Sequence, residues 1–108
     1  MFRHSVDELT RWMLSTKMEA GLAYLVRDYL LARGGKQMSQ CLPDRASKWH
    51  LLATQHDKLG WDNFLEGQIC VLYLKAATAL LPSRRSPTKW GAQFISKLLQ
   101  ISHKQWLV

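Results

Sequence analysis

The chain has 108 residues, with 15 Lys or Arg against 8 Asp or Glu for a net charge of +7, 47% hydrophobic residues and two cysteines. That length carries one domain, residues 1–108, around a modest core; it excludes a large enclosed active site, and the hydrophobic content excludes a disordered chain. Cys41 and Cys70 are too few for a disulfide framework, and the most apolar stretch, residues 69–81, is too short and too interrupted by Lys75 to cross a membrane.

No segment alternates with the period of two that a half-buried strand requires, so the expected fold is all-α, a compact bundle of about four to five helices. Ser5 and Glu8 have capping-box spacing beside a stripe of Val6, Leu9 and Met13; Thr16 and Glu19 repeat it before Met18, Leu22, Leu25, Val26 and Tyr29. Gly34 and Gly35 follow the second helix, where glycine closes a helix in the left-handed conformation. A connector over residues 35–43 holds a single turn around 39–42.

Asp44 is placed to cap a third helix. At 100° per residue, Leu52 and Leu59 share one face, whereas Trp61, Phe64, Leu65, Ile69, Leu72 and Ala76 lie on a face displaced by roughly 120–140°. The helix therefore either breaks near Gly60 or packs on two sides. The long form, about 45–81 and roughly 55 Å from end to end, is the expectation for the centre of the domain. Pro82 ends it, and residues 83–85 make an exposed turn. Ser86 followed by Pro87 starts the last helix, an amphipathic one over about 87–107, because serine accepts from the first turn and proline lacks only a donor that is free anyway.

The acidic residues stop at Glu66. Residues 1–66 hold nine Lys or Arg against eight Asp or Glu, so 7 − (9 − 8) = 6 units of the excess charge belong to Lys75, Arg84, Arg85, Lys89, Lys97 and Lys104. On the last helix Lys89, Gln93, Lys97, Gln100 and Lys104 fall within an arc of about 80° opposite Trp90, Phe94, Leu98 and Ile101, and span about 22 Å along the axis. Amines and amides in such a row can contact successive phosphate oxygens with no carboxylate to repel them. Arg84 and Arg85 extend the row at the adjacent turn. RNA or DNA is thus the candidate partner, and the ordinary solvated face of an amphipathic helix is the competing reading. Among five tryptophans, Trp49, between Lys48 and His50, is the expected exposed ring for stacking on a base.

Other chemistries find little support. Asp62 and Glu66 share a helix face, but structural roles at a helix start or as a Lys58–Asp62 pair account for them. Cys41, His50, His56 and Cys70 match no short-spaced metal pairing, and His103 lacks a carboxylate orienter. Ser86 and Lys89 spell S-x-x-K without the partner motifs of serine acylases, and Gly34-Gly35-Lys36 lacks the rest of a P-loop. The expectation is no enzyme, no metal and no cofactor. Phosphorylation of Ser86 would locally reduce the basic patch. Arg3, Asp7 and Glu8 stand where a signal peptide needs an apolar run, so the expected location is intracellular, nuclear or cytoplasmic, without secretion.

The run Gln55-His56-Asp57-Lys58-Leu59-Gly60-Trp61-Asp62-Asn63-Phe64-Leu65-Glu66-Gly67, then Trp90 and the closing segment 98–107 with Trp106, resembles helical segments of uncharacterised eukaryotic proteins associated with retrotransposon-like reverse-transcriptase reading frames. The resemblance covers roughly residues 20–108 and implies mobile-element ancestry with an accessory, nucleic-acid-binding role and no enzyme chemistry. The alternative is a helical protein-interaction module, self-associating or docking on an acidic protein surface, in which a partner covers the apolar end of the last helix at Trp106, Leu107 and Val108.

Overall fold

Apolar residues at a spacing of three and four bury one stripe of each helix, and the stripes meet in a single all-α bundle. The structure is a computed structural model and describes residues 2–42, 47–81 and 86–106, with the backbone alone for 102–106. Helix α1 (Phe2–Ser15) buries Val6, Leu9, Thr10 and Met13. It begins a turn before the predicted Ser5–Glu8 box, which lies inside it; half-buried Phe2, under the Arg33 guanidinium at 4.1 Å, extends the helix upstream.

Helix α2 (Ala20–Leu31) follows, with Glu19 as N-cap but without a side-chain cap bond, so the predicted Thr16–Glu19 box does not form. Tertiary demand is the reason. The buried Thr16 hydroxyl donates to the Met13 carbonyl at 2.7 Å and accepts from Trp90 Nε1 at 3.0 Å. α2 ends through Ala32, and the chain reverses at Arg33 (φ 51°) and Gly34 (φ 83°). Gly34 is obligatory there, since a Cβ would lie 2.9 Å from Cδ1 of Trp61.

The connector turn is a short 3-10 helix, Met38–Cys41, closed by a Gln37–Gln40 capping box with Gln37 N donating to Gln40 Oε1 at 2.8 Å. Met38 is fully buried, and Ser39 donates through both its backbone N–H and its hydroxyl to the Asp57 carboxylate.

The continuous rod expected over 45–81 is not formed. Helix α3 (His50–Leu59) stops at Gly60, whose φ of 84° and ψ of 160° no helix accommodates; α4 (Trp61–Leu65) and α5 (Val71–Ala77) then follow as separate short helices. The two displaced apolar faces are buried by turning the chain, which places both against one core. Asp44, the expected cap, lies outside the described residues. Cys70 caps α5, its sulfur accepting from Tyr73 N at 3.3 Å.

Helix α6 (Pro87–Trp106) matches its predicted course, with Lys89 N donating to Ser86 Oγ at 3.4 Å. It runs antiparallel to α1: Trp12 stacks on Trp90 near one end, while Leu9 and Ile101 approach each other towards the other. On its second flank α6 meets α4 and α5 through Phe64, Tyr73, Trp90 and Phe94, whose ring centroids lie 5.2–6.4 Å apart. Each fully buried ring or leucine of this kind stabilises the fold by about 1.5–3 kcal/mol.

Candidate nucleic-acid interface

Packing divides α6 as its amphipathic pattern predicts. Trp90, Phe94, Leu98 and Ile101 are buried, and Gly91 is small enough for Leu74 of α5 to close on the helix, a Cβ there lying 3.1 Å from Leu74 Cδ1. Lys89, Gln93 and Gln100 are exposed on the opposite side, with Ala92 and Ser96 between them. From Lys89 to Gln100 this face runs about 16 Å along the axis. The backbone of α6 continues past residue 104, but the side chain of Lys104, like Arg84 and Arg85, lies outside the described residues.

Lys97 departs from the simple row. It is half-buried, its Nζ lying 5.4 Å from the Trp12 ring centroid, and Trp12 stacks on Trp90 (5.3 Å, 25°), which stacks on Phe94 (5.4 Å, 6°). The ammonium thus rests against the outermost ring of a three-ring stack, an attraction of about 0.5–1 kcal/mol that restrains the side chain before any ligand arrives.

The face is also not free of carboxylate, as the C-terminal sequence alone suggests. α1 brings Glu8 to a small open cleft, about 80 Å³ in volume, lined by Ser5, Glu8 and Leu9 from α1 and by Lys97, Gln100 and Ile101 from α6. Leu9 and Ile101 are buried and form its apolar floor. Glu8 Oε1 lies 2.9 Å from Nε2 of His4, one helical turn earlier on α1.

Trp49 is not the open ring expected. It is half-buried against α2, where a Cβ on Gly21 would sit 3.3 Å from its Nε1, and Lys48 Nζ lies 4.7 Å from its ring centroid while pairing with Glu19 at 2.6 Å.

His56, which the sequence offers only as a poorly spaced metal ligand, is a core residue. It is fully buried, its ring standing edge-on to Phe64 (5.3 Å, 82°) and Tyr73 (5.6 Å, 86°), and neither ring nitrogen has a hydrogen-bond partner among the described residues. Burial pushes its pKa down to about 4 against a smaller opposing influence of Asp57, so the ring is neutral at pH 7. Its place on the Leu52–Ala53–His56 stripe, at i, i+1 and i+4, was the available clue.

Burial also pushes both thiols up: Cys41 further through Asp28, Cys70 against backbone N–H groups that favour its thiolate. Asp62 and Glu66 are exposed, and the break at Gly60 removes the helix on which Lys58 and Asp62 were to pair. Among the described residues, no three His, Cys, Asp or Glu side chains gather as metal ligands, and no helix is long and apolar enough to cross a membrane. Comparison with protein-family models, curated proteins and solved structures finds no match to this chain.

Proposed function

We propose that the chain is a non-catalytic nucleic-acid-binding or accessory module that contacts phosphates along α6. Lys89, Lys97 and Lys104, with Arg84 and Arg85 at the preceding turn, supply the cations, and Gln93 and Gln100 supply amide donors. The supporting observation is the division of α6: its apolar stripe is consumed by the core while Lys89, Gln93 and Gln100 stand exposed in line. The six unbalanced cations after Glu66 supply the attraction. An accessory role of this kind also accords with the retroelement-like pattern of residues 55–67 and 98–107.

Fluorescence anisotropy with labelled single-stranded and duplex oligonucleotides, titrated with salt, tests the reading. Three to five phosphate contacts correspond to a log–log salt slope of about −2 to −3.5 on single strands. Lys89→Gln is expected to flatten that slope by about 0.7, one phosphate's share. Absence of binding at low salt would end this reading.

The alternative, a protein-interaction or self-association module, draws on Leu51, Val71 and Leu80, each at least 60% exposed. Sedimentation velocity across a concentration series separates the two readings, since self-association raises the sedimentation coefficient with concentration in the absence of nucleic acid.

A further inference from the structure

We infer that the cleft between α1 and α6 receives one unpaired base bearing an exocyclic amino group, with cytosine the best fit. This inference rests on the phosphate-binding reading of α6 and gives that face a base preference.

The observation that calls for it is Glu8. A carboxylate beside Lys97 and Gln100 repels a phosphate, so the group seated next to it in a bound strand must be a hydrogen-bond donor. In a single strand the uncharged donors are the base amino and imino groups and, in RNA, the ribose 2′-hydroxyl; of these the amino group of cytosine, N4, is a good partner for a carboxylate and projects from a flat ring that the apolar floor can receive. The remaining walls fit the rest of such a base. Leu9 and Ile101 provide an apolar floor for a ring face, and the Gln100 amide and Ser5 hydroxyl can each donate or accept at a ring edge. Lys97, held against Trp12, stands at the same cleft with the charge that the attached phosphate requires.

Size narrows the choice. The cleft is small, about 80 Å³, well below the few hundred Å³ of an ordinary small-molecule site, and cytosine is the smallest base that carries an exocyclic amino group. Uracil and thymine carry a carbonyl oxygen where cytosine has its amino group, and their one imino donor, N3–H, is flanked on both sides by carbonyl oxygens that would face the Glu8 carboxylate. His4 lies 2.9 Å from Glu8 Oε1, an exposed pair one helical turn apart.

The test is anisotropy of the full chain with fluorescein-labelled oligo(rC) and oligo(rU) of equal length at pH 7.5 and one salt concentration, for the native chain and for Glu8→Gln. Glu8 is exposed, so the isosteric amide leaves the fold intact. The native chain is expected to bind oligo(rC) about five- to tenfold more tightly than oligo(rU), the discrimination of one good base contact. Glu8→Gln is expected to bring the ratio close to one, chiefly by strengthening oligo(rU), because the amide also donates. Equal affinities of the native chain for the two oligomers, with salt-sensitive binding intact, overturn the base site and leave the phosphate reading standing. A preference for cytosine that survives Glu8→Gln unchanged overturns the role of Glu8 and with it the inference. Failure to bind either oligomer at low salt overturns both.

Discussion

Acid should loosen this fold through one histidine. His56 is completely buried, with no partner for either ring nitrogen among the described residues, and its pKa is pushed down to about 4 from an ordinary 6.5. In the unfolded chain the imidazole takes up its proton as pH falls through 6.5, whereas in the fold it stays neutral until about pH 4. Between those values the unfolded state binds more protons, so stability is level above about pH 7 and falls progressively through the window. The shift of about 2.5 units corresponds to about 3 kcal/mol lost by pH 4, at 1.36 kcal/mol per unit. That is a large share of the roughly 5–15 kcal/mol available to a domain. His56→Leu, of similar volume, removes the titration and the two unpaired nitrogens together, each worth about 1–3 kcal/mol when stranded. Urea unfolding of both proteins from pH 8 to pH 4 is the assay. The variant is expected to be at least as stable as the native chain at pH 8, and its advantage to grow by about 3 kcal/mol on going to pH 4. Every other titratable group is common to the two proteins and cancels in the difference. A difference that stays constant with pH would refute the reasoning.

Two further outcomes bear on the joints of the fold. Gly34→Ala and Gly60→Ala both force a Cβ into a positive-φ conformation (83° and 84°), but the Cβ of the first meets Trp61 at 2.9 Å while that of the second meets nothing within 4 Å. Gly60→Ala is therefore expected to cost about 1–3 kcal/mol, and Gly34→Ala about 1–3 kcal/mol more from overpacking, with a change in tryptophan emission for Gly34→Ala alone; equal losses in chemical denaturation would contradict the Trp61 contact. Thr16→Val leaves the Trp90 indole N–H buried without its acceptor and should cost about 1–3 kcal/mol, whereas Thr16→Ser, which keeps the oxygen, should cost less; a reversed order by thermal melting would argue against that bond.

Local patterns read correctly where the controlling interactions are local. Ser86, Pro87 and a stripe recurring every three to four residues define α6 without reference to the rest of the chain, and its outward Lys89, Gln93 and Gln100 follow from the same periodicity. Thr16–Glu19 shows the opposite case, because its spacing is indistinguishable from a capping box until Trp90, 74 residues away, engages the hydroxyl. The break at Gly60 lies between these cases. The displaced stripes are visible in the sequence, but rod and turn both satisfy them, and the choice depends on whether one core or two receives the side chains. Trp49 has the same cause: flanking Lys48 and His50 suggest an open ring, whereas Gly21 of another helix approaches its indole nitrogen and leaves it half-buried.

The sequence by itself determined an all-α chain, the position and facing of its last helix, and an excess of positive charge after Glu66, since helix periodicity, capping and charge are properties of neighbours along the backbone. Tertiary structure alone decided that Glu8 shares a cleft with Lys97 and Gln100 of that face, that Lys97 lies against a stacked aromatic column, and that His56 is sealed in the core with no hydrogen-bond partner among the described residues. Those three depend on the antiparallel approach of α1 to α6 and on the turn at Gly60, which bring together residues whose separation along the chain carries no record of their contact.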